Sequence, residues 1–287
     1  MAWKRTVLAD WDEGSIGDND TTKAIKLPQA IISSIHLRLS GTGGSGTPAV
    51  DDLLATAKVK TEKGYIFDMR SADMHKLARA LSGRKPDVTN SSGAYTAVNQ
   101  FIYFGRKPRD KALMLDLRNS NVRLLELTFG TLIATTAWAT TTVKLTVTID
   151  EWVGNPPPQY KGFMSCKEVE NKATGTGKAV FELFSGNKLM GLLINIGTIT
   201  TIRQVTISDK KESVVFGKVN FRDLVAEHNH FFAPDTVETV DALWALWEDA
   251  DNFDTLLPVL SMSDPICSIE RGSTTSTSRV VQLDLIQ

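Results

Sequence analysis

The sequence predicts an all-β protein made of two tandem antiparallel β-barrels with short inserted helices. Three observations predict it: a proline-rich connector near the middle of the chain, the same series of elements on both sides of it, and closing segments that alternate apolar and polar residues. The chain has 287 residues, of which 42% are hydrophobic and 23% charged, as in ordinary folded proteins. Each half is long enough to bury a core of its own.

The strongest break in the pattern is the segment 154–159, Gly-Asn-Pro-Pro-Pro-Gln. Three consecutive prolines exclude a helix and remove backbone donors, so this segment reads as a stiff, extended connector. We therefore predict an N-terminal arm at 1–20, a first barrel at 21–153, a linker at 154–159 and a second barrel at 160–287. Because chain termini are rarely part of a core, residues 1–8 are expected to be dispensable for folding.

The two halves begin with the same elements, as expected for an internal repeat. Each opens with an apolar strand led by a lysine, at 22–27 in the first half and 177–183 in the second. A second strand follows, at 36–39 and at 193–196. Alternating strands look alike in unrelated proteins, so these segments alone do not establish a duplication.

A hairpin followed by a helix is the stronger repeated signal. The hairpin spans 57–67 in the first half and 204–216 in the second, and each has a charged turn. Each leads into a segment with apolar residues at helical spacing, which predicts one helix at Ser71–Ser82 and another that begins at Asn220. The same pair of elements at the same place in both halves favours a duplicated barrel.

Both halves close on a strand of strict alternation. The alternation predicts that Leu145 and Leu283 are equivalent and point into their own barrels, with Lys144 and Gln282 facing outwards.

One element has no counterpart in the other half. A helix is predicted to begin at Pro234 and to carry one apolar face that packs on the barrel, formed by Val240, Leu243, Trp244 and Trp247. The corresponding segment of the first half, 87–100, is rich in Ser, Asn and Gly and is predicted to be a loop.

Motifs for catalysis, cofactors and metals do not emerge. The glycine-rich segment 40–47 lacks the lysine and the helix of a phosphate-binding loop, and Gly-Thr-Gly-Lys at 175–178 is followed by an apolar strand. The acidic run 248–254 lacks the turn glycine of a helix-loop-helix calcium site. We therefore predict no enzyme activity, no cofactor and no metal site. Four histidines are interpreted as structural or solvated and two cysteines as buried thiols: His36, His75, His228, His230, Cys166 and Cys267.

Charge and hydropathy exclude further classes. The 32 Lys and Arg against 33 Asp and Glu form no long basic stretch, so sequence-specific nucleic-acid binding is not expected. The sequence shows no apolar run of about 18 residues, as a membrane-spanning helix requires, and no secretory signal.

Two similar barrels joined by a proline-rich connector resemble the double jelly-roll major capsid protein of tailless, internal-membrane icosahedral bacteriophages and of the adenovirus-like lineage. The likeness covers about 20–287; the opening strand Ile25–Pro28 and the second strand 35–39, which ends in Ser40–Gly41, carry its closest part. The resemblance implies two eight-stranded jelly rolls and three subunits that form a pseudo-hexagonal capsomer. It also implies contacts with minor capsid and vertex proteins, and a place in the virion capsid after synthesis in the host cytoplasm.

The resemblance further implies that the N-terminal arm reaches the internal viral membrane. Trp3, Lys4 and Arg5 are the residue types that suit a lipid interface, so we predict that they form a membrane-facing cluster. The alternative function is a carbohydrate-binding or receptor-binding β-sandwich protein such as a viral spike. That function would need exposed aromatic residues on loops, for which Trp138 is the candidate.

Overall fold

The computed structural model describes residues 2–12, 21–42, 54–82, 95–130, 143–169, 177–195, 202–211, 215–231, 242–245, 257–258, 264–271 and 278–287. The chain divides into two compact units, Met1–Met164 and Ser165–Gln287. Strands predominate in both units, in agreement with the predicted all-β class.

The first unit contains nine strands and one helix within the described residues. They are β1 (Ala2–Asp12), β2 (Thr22–Lys26), β3 (Ile31–Thr42), β4 (Leu54–Thr61), β5 (Gly64–Arg70), α1 (Ser71–Ser82), β6 (Tyr95–Tyr103), β7 (Leu115–Asp116), β8 (Arg123–Phe129) and β9 (Lys144–Val153).

The second unit repeats this series. Its elements are β10 (Phe163–Val169), which starts just before the division, β11 (Gly177–Glu182), β12 (Lys188–Asn195), β13 (Ile202–Asp209), β14 (Val215–Asn220), α2 (Phe221–Phe231), β15 (Ala242–Ala245), β16 (Leu257–Pro258), β17 (Pro265–Arg271) and β18 (Arg279–Ile286).

Strand order is the same in the two units. In the first, one sheet runs β1-β9-β3-β6 with β7 beside β3, and the other runs β5-β4-β8-β2. In the second, the corresponding orders are β10-β18-β12-β15 with β16 beside β12, and β14-β13-β17-β11. Each unit thus has two antiparallel sheets with four main strands each, in jelly-roll order, and one of the two carries a short additional strand, β7 or β16. Every strand of one unit has an equivalent in the other.

The two predicted hairpins and the helix that follows each of them are confirmed. The β4–β5 turn is closed by Thr61 and Gly64, and Gly64 adopts a φ of 95°, which an L side chain rarely adopts. In the second unit, Asn220 caps α2, because its side-chain oxygen accepts the N–H of Arg222 at 2.9 Å. The repeat therefore holds at the level of local structure as well as topology.

The closing strands carry the core, as predicted. Leu145 on β9 and Leu283 on β18 are both buried, and Lys144 is exposed. Gln282 is a correction: only 1% of it is exposed, because β18 is buried on both faces from Val280 to Leu285. Its side chain accepts the N–H of Phe184 at 2.8 Å and donates to the Phe184 carbonyl at 2.9 Å.

Two further predictions of secondary structure are wrong in part. Leu243 and Trp244 lie on strand β15, not on a helix, because residues 242–245 pair with Gly191–Ile194 of β12. Residues 95–100 belong to β6, not to a loop, because they pair with β3. The rest of both segments, with Val240 and Trp247, lies outside the described residues.

The N-terminal residues also differ from the expected arm at 1–20. β1 pairs with β9 from Ala2 opposite Val153 to Asp12 opposite Lys144, with one register shift between Val7 and Ala9. Residues 2–12 are thus the first strand of the first unit, equivalent to β10 in the second. Because β9 offers a free ladder edge at this place, the chain start is held by backbone hydrogen bonds.

Candidate interaction surfaces

The three residues predicted to face a membrane lie next to one another on β1. Trp3 stands opposite Trp152 in the register, and the two rings meet edge to face with 5.1 Å between their centroids. The Trp3 ring belongs to a small apolar cluster with Ile31, Met114, Trp152 and Tyr160. Part of this side chain is therefore used in packing the first unit.

Lys4 and Arg5 form ion pairs with β9. Arg5 donates two hydrogen bonds to Asp150, at 2.8 and 2.9 Å, and Arg109 lies 3.6 Å from the same carboxylate. Burial alone would raise the pKa of Asp150, but the hydrogen bonds and the charges of the two arginines outweigh it and hold that pKa below its usual value. Lys4 Nζ lies 3.0 Å from Glu151. The side chains of Lys4 and Arg5 remain 63% and 51% exposed, so their outer parts still face solvent.

Phe184 is an exposed aromatic residue with a fixed backbone. The residue is 41% exposed, although Gln282 binds both its N–H and its carbonyl. Lys167 Nζ lies 5.5 Å from the ring centroid, within cation–π distance. Aromatic side chains, Phe included, are enriched at protein–protein interfaces, so we refer to this exposed residue as the anchor Phe184.

Edge strands of the described sheets carry charges. β1 has Lys4, Arg5, Asp10 and Asp12 along its length, and Lys178 lies on β11 at the edge of its own sheet. Charged side chains on edge strands oppose uncontrolled pairing with other chains. Contacts between subunits at these edges would therefore have to match charge as well as shape.

Asp284 is the described carboxylate with the largest upward shift. Burial raises its pKa from the ordinary 3.8 to about 6, although Gln282 donates to both of its oxygens, at 2.9 and 3.1 Å. It lies beside Gln282 and close to Lys167, the residue whose Nζ is near the ring of the anchor Phe184.

We expect the stability of the second unit to fall as the pH rises from about 4 to about 6. The folded form holds the Asp284 proton more tightly than the unfolded form, so the free energy of unfolding falls by about 3 kcal/mol as the pH rises across that window. Asp284→Asn should remove this part of the pH dependence and raise the denaturation midpoint at pH 7. Urea unfolding at pH 4, 5, 6 and 7 measures it, with the more exposed Asp68→Asn as control. An unchanged profile in Asp284→Asn would contradict the expectation.

The described residues contain no group of three or more His, Cys, Asp or Glu side chains that could hold a metal ion. His36 stacks on Phe101 and lies 2.9 Å from the Asn99 side-chain oxygen, as a structural histidine does. Burial raises the pKa of both Cys166 and Cys267, to about 12 for Cys267, so neither thiol is activated.

Several sequence candidates cannot be placed. The acidic run 248–254, the glycines at 43–46 and Trp138 lie outside the described residues, and the side chains of His228 and His230 are not described. Within the described part of the chain, neither helix is long and apolar enough to cross a membrane.

Comparison with known proteins shows the fold. No protein-family model matches the chain, and no curated protein matches it in sequence. In structure it is similar to a chain of Sulfolobus Turreted Icosahedral Virus, with 15% identity and a TM-score of 0.66 over 99% of this chain and 90% of that one. It is also similar to the major capsid protein of bacteriophage PM2, with 12% identity and a TM-score of 0.65 over 100% and 98% of the two chains.

A third similar structure is the capsid of the virus PBCV-1, with 10% identity and a TM-score of 0.65 over 99% of this chain and 93% of that one. All three likenesses run through both units. The chain is a double jelly roll.

Proposed function

We propose that this chain is the major coat subunit of a tailless icosahedral virion. The observation that carries the proposal is the presence of two jelly rolls of identical strand order in one chain. The similar folds of the PM2 major capsid protein and of the Sulfolobus Turreted Icosahedral Virus chain, in which the likeness spans both units, support it. The proposal places the chain in the virion capsid and assigns it no catalytic role.

Duplication of the barrel has a geometric purpose in this proposal. Three copies of a two-barrel chain bring six similar barrels around a threefold axis, and six similar barrels tile a shell as a hexamer would. A single-barrel subunit would need six copies to make the same tile. The exposed anchor Phe184 and the charged edge strands are surfaces suited to the contacts within or between such tiles.

We expect the purified protein to be a homotrimer. Subunit faces that close a six-barrel ring bury well over about 1,000 Å², enough for a stable assembly at micromolar concentration. Multi-angle light scattering at several concentrations measures the mass of the assembly. The Phe184→Ala variant tests whether the anchor Phe184 contributes to assembly, and Val122→Ala is its control at another exposed apolar residue. A monomer at every concentration, with no shift on raising the concentration, would count against the coat function.

The proposal extends to the other components of the particle. Minor capsid and vertex proteins are proposed partners, because a tiled shell has seams and fivefold positions that its main subunit does not fill. The internal membrane is a further proposed partner, contacted by Lys4 and Arg5, whose side chains remain more than half exposed.

We expect Lys4→Ala with Arg5→Ala to weaken binding to anionic vesicles in flotation. Point substitutions suit this test better than truncation, because truncation removes part of β1 and with it the pairing to β9. The control is Lys23→Ala with Lys26→Ala on β2, which removes the same charge elsewhere on the first unit. Equal flotation of all three proteins would remove these residues from any membrane contact.

A further inference from the structure

A polar cavity of about 380 Å³ lies on the second unit, on the sheet formed by β11, β17, β13 and β14. The residues next to its lining serines and lysines along the strands, such as Ile207, Cys267 and Ile269, belong to the apolar core. Because side chains alternate between the faces of a strand, the serines and lysines lie on the face that points away from that core. We call this cavity the outer-face pocket.

Two serine side chains of the outer-face pocket are buried without a hydrogen-bond partner. Ser208 on β13 and Ser268 on β17 are 0% and 3% exposed, and neither hydroxyl has a partner within the described part of the chain. Ser268 stands opposite Thr206 in the register, so Ser208 lies diagonally across from it. Buried hydroxyls normally find partners, so two of them lining one cavity point to a bound group.

Arg271 adds a third polar group of the same kind. It is 5% exposed and lines the cavity; its Nε donates to the Gly177 carbonyl at 3.2 Å, while Nη1 is buried and has no partner among the described residues. A guanidinium group only donates hydrogen bonds, so the group that completes its bonding must accept them. Hydroxyl groups can donate as well, and therefore suit the same acceptor.

The charge of the residues that line the outer-face pocket indicates which kind of hydrogen-bond acceptor would bind there. Lys178, Lys218 and Arg271 carry three positive charges against the single carboxylate of Glu270, which stands opposite Lys178 in the register. None of the described lining residues is aromatic, so the pocket offers no surface on which a sugar ring would stack. A net positive, donor-rich cavity favours an oxyanion.

We propose that the outer-face pocket binds an oxyanion such as phosphate, sulfate or a carboxylate. Ser208 and Ser268 donate from their hydroxyls, Arg271 donates from Nη1, and Lys218 supplies charge at the rim. Two sources share this chemistry: a free anion, and the Asp or Glu side chain of a second copy of this chain. The site is contained in the second unit and does not depend on the coat function proposed above.

Calorimetric titration of the full chain with sodium phosphate and with sodium sulfate tests the proposal, with sodium chloride at equal ionic strength as the blank. We expect saturable binding at one site per chain. Ser208→Ala with Ser268→Ala should weaken it about tenfold, the effect of losing hydrogen bonds to a charged group. Ser33→Ala is the matched control, because Ser33 is also buried with an unpartnered hydroxyl among the described residues but lies on β3 of the first unit.

Sedimentation of the same samples distinguishes the two sources. An unchanged sedimentation coefficient on adding phosphate indicates a site for a free anion, and dissociation of an oligomer indicates that phosphate displaces a carboxylate of a neighbouring copy. Lys218→Gln, at an exposed position, gives an independent reading if the double serine variant does not fold. Absence of saturable binding and of any phosphate effect on sedimentation would overturn the proposal, as would full affinity in both variants.

Discussion

Deletion of residues 2–8 should destabilise the first unit by more than about 4 kcal/mol, the range reached when several buried interactions are lost together. The deletion removes most of the β1–β9 ladder, the Trp3 ring from its contact with Trp152, and the paired cation from Asp150. It leaves β9, a strand whose alternate residues are core, with an unpaired edge.

Guanidinium unfolding of the full chain and of the deletion variant measures this difference. Val7→Ala is the control, because Val7 is 60% exposed and its truncation should change the free energy of unfolding by about 0.5 kcal/mol or less. A deletion variant with the midpoint of the full chain would show that β1 is an arm after all, and that its pairing contributes nothing to folding.

Leu145→Ala and Leu283→Ala should each cost about 2 to 5 kcal/mol, the range for a buried leucine that leaves a cavity. The two residues occupy equivalent closing strands, so costs of similar size are expected in the two units. Lys144→Ala should cost about 0.5 kcal/mol or less, because this side chain is exposed. Urea denaturation of the four proteins provides the comparison.

Gln282→Ala separates the observed strand from the alternating one expected from sequence. Removal of this side chain leaves the N–H and carbonyl of Phe184 without their partner, which costs about 1 to 3 kcal/mol. If Gln282→Ala left the free energy of unfolding unchanged while Leu283→Ala lowered it, the outward-facing Gln282 expected from the sequence would be supported. A neutral Leu283→Ala would instead contradict the register of β18.

Local signals predicted the elements that depend on local structure. The β4–β5 and β13–β14 hairpins and both helices were found because turn residues, helical spacing and the Asn220 cap all lie within a few residues of the element they specify. The correct order of these elements in both halves was enough to indicate duplication.

The predictions were wrong for elements whose structure depends on residues distant in the sequence. β1 pairs with a strand some 140 residues away, and its charged side chains gave it the composition of a solvated arm. Leu243 and Trp244 belong to a segment with helical spacing of apolar residues. They form a strand because their backbone pairs with the edge of β12. Gln282 was predicted to face solvent because an alternating pattern implies that one face of the strand is solvated. β18 is instead buried on both faces over most of its length.

The candidate site was less accessible from sequence than the fold. The outer-face pocket is lined mainly by polar and charged residues from four strands, spread over 177–271, and no spacing rule connects them. Only the sheet register shows that Ser208 and Ser268 are neighbours. The one signal in the sequence is polar residues at alternate positions of β13 and β17, which is also the pattern of any solvated sheet face.

The pairing of β1 with β9 has a consequence for synthesis of the chain. β1 is synthesised well before β9, which is complete only when Val153 has been added. At about 5 to 20 residues per second, β1 waits roughly 7 to 30 s with its backbone donors and acceptors unpaired. Lys4, Arg5, Asp10 and Asp12 lie on this strand, and charged side chains of this kind oppose its pairing with other nascent chains during that interval.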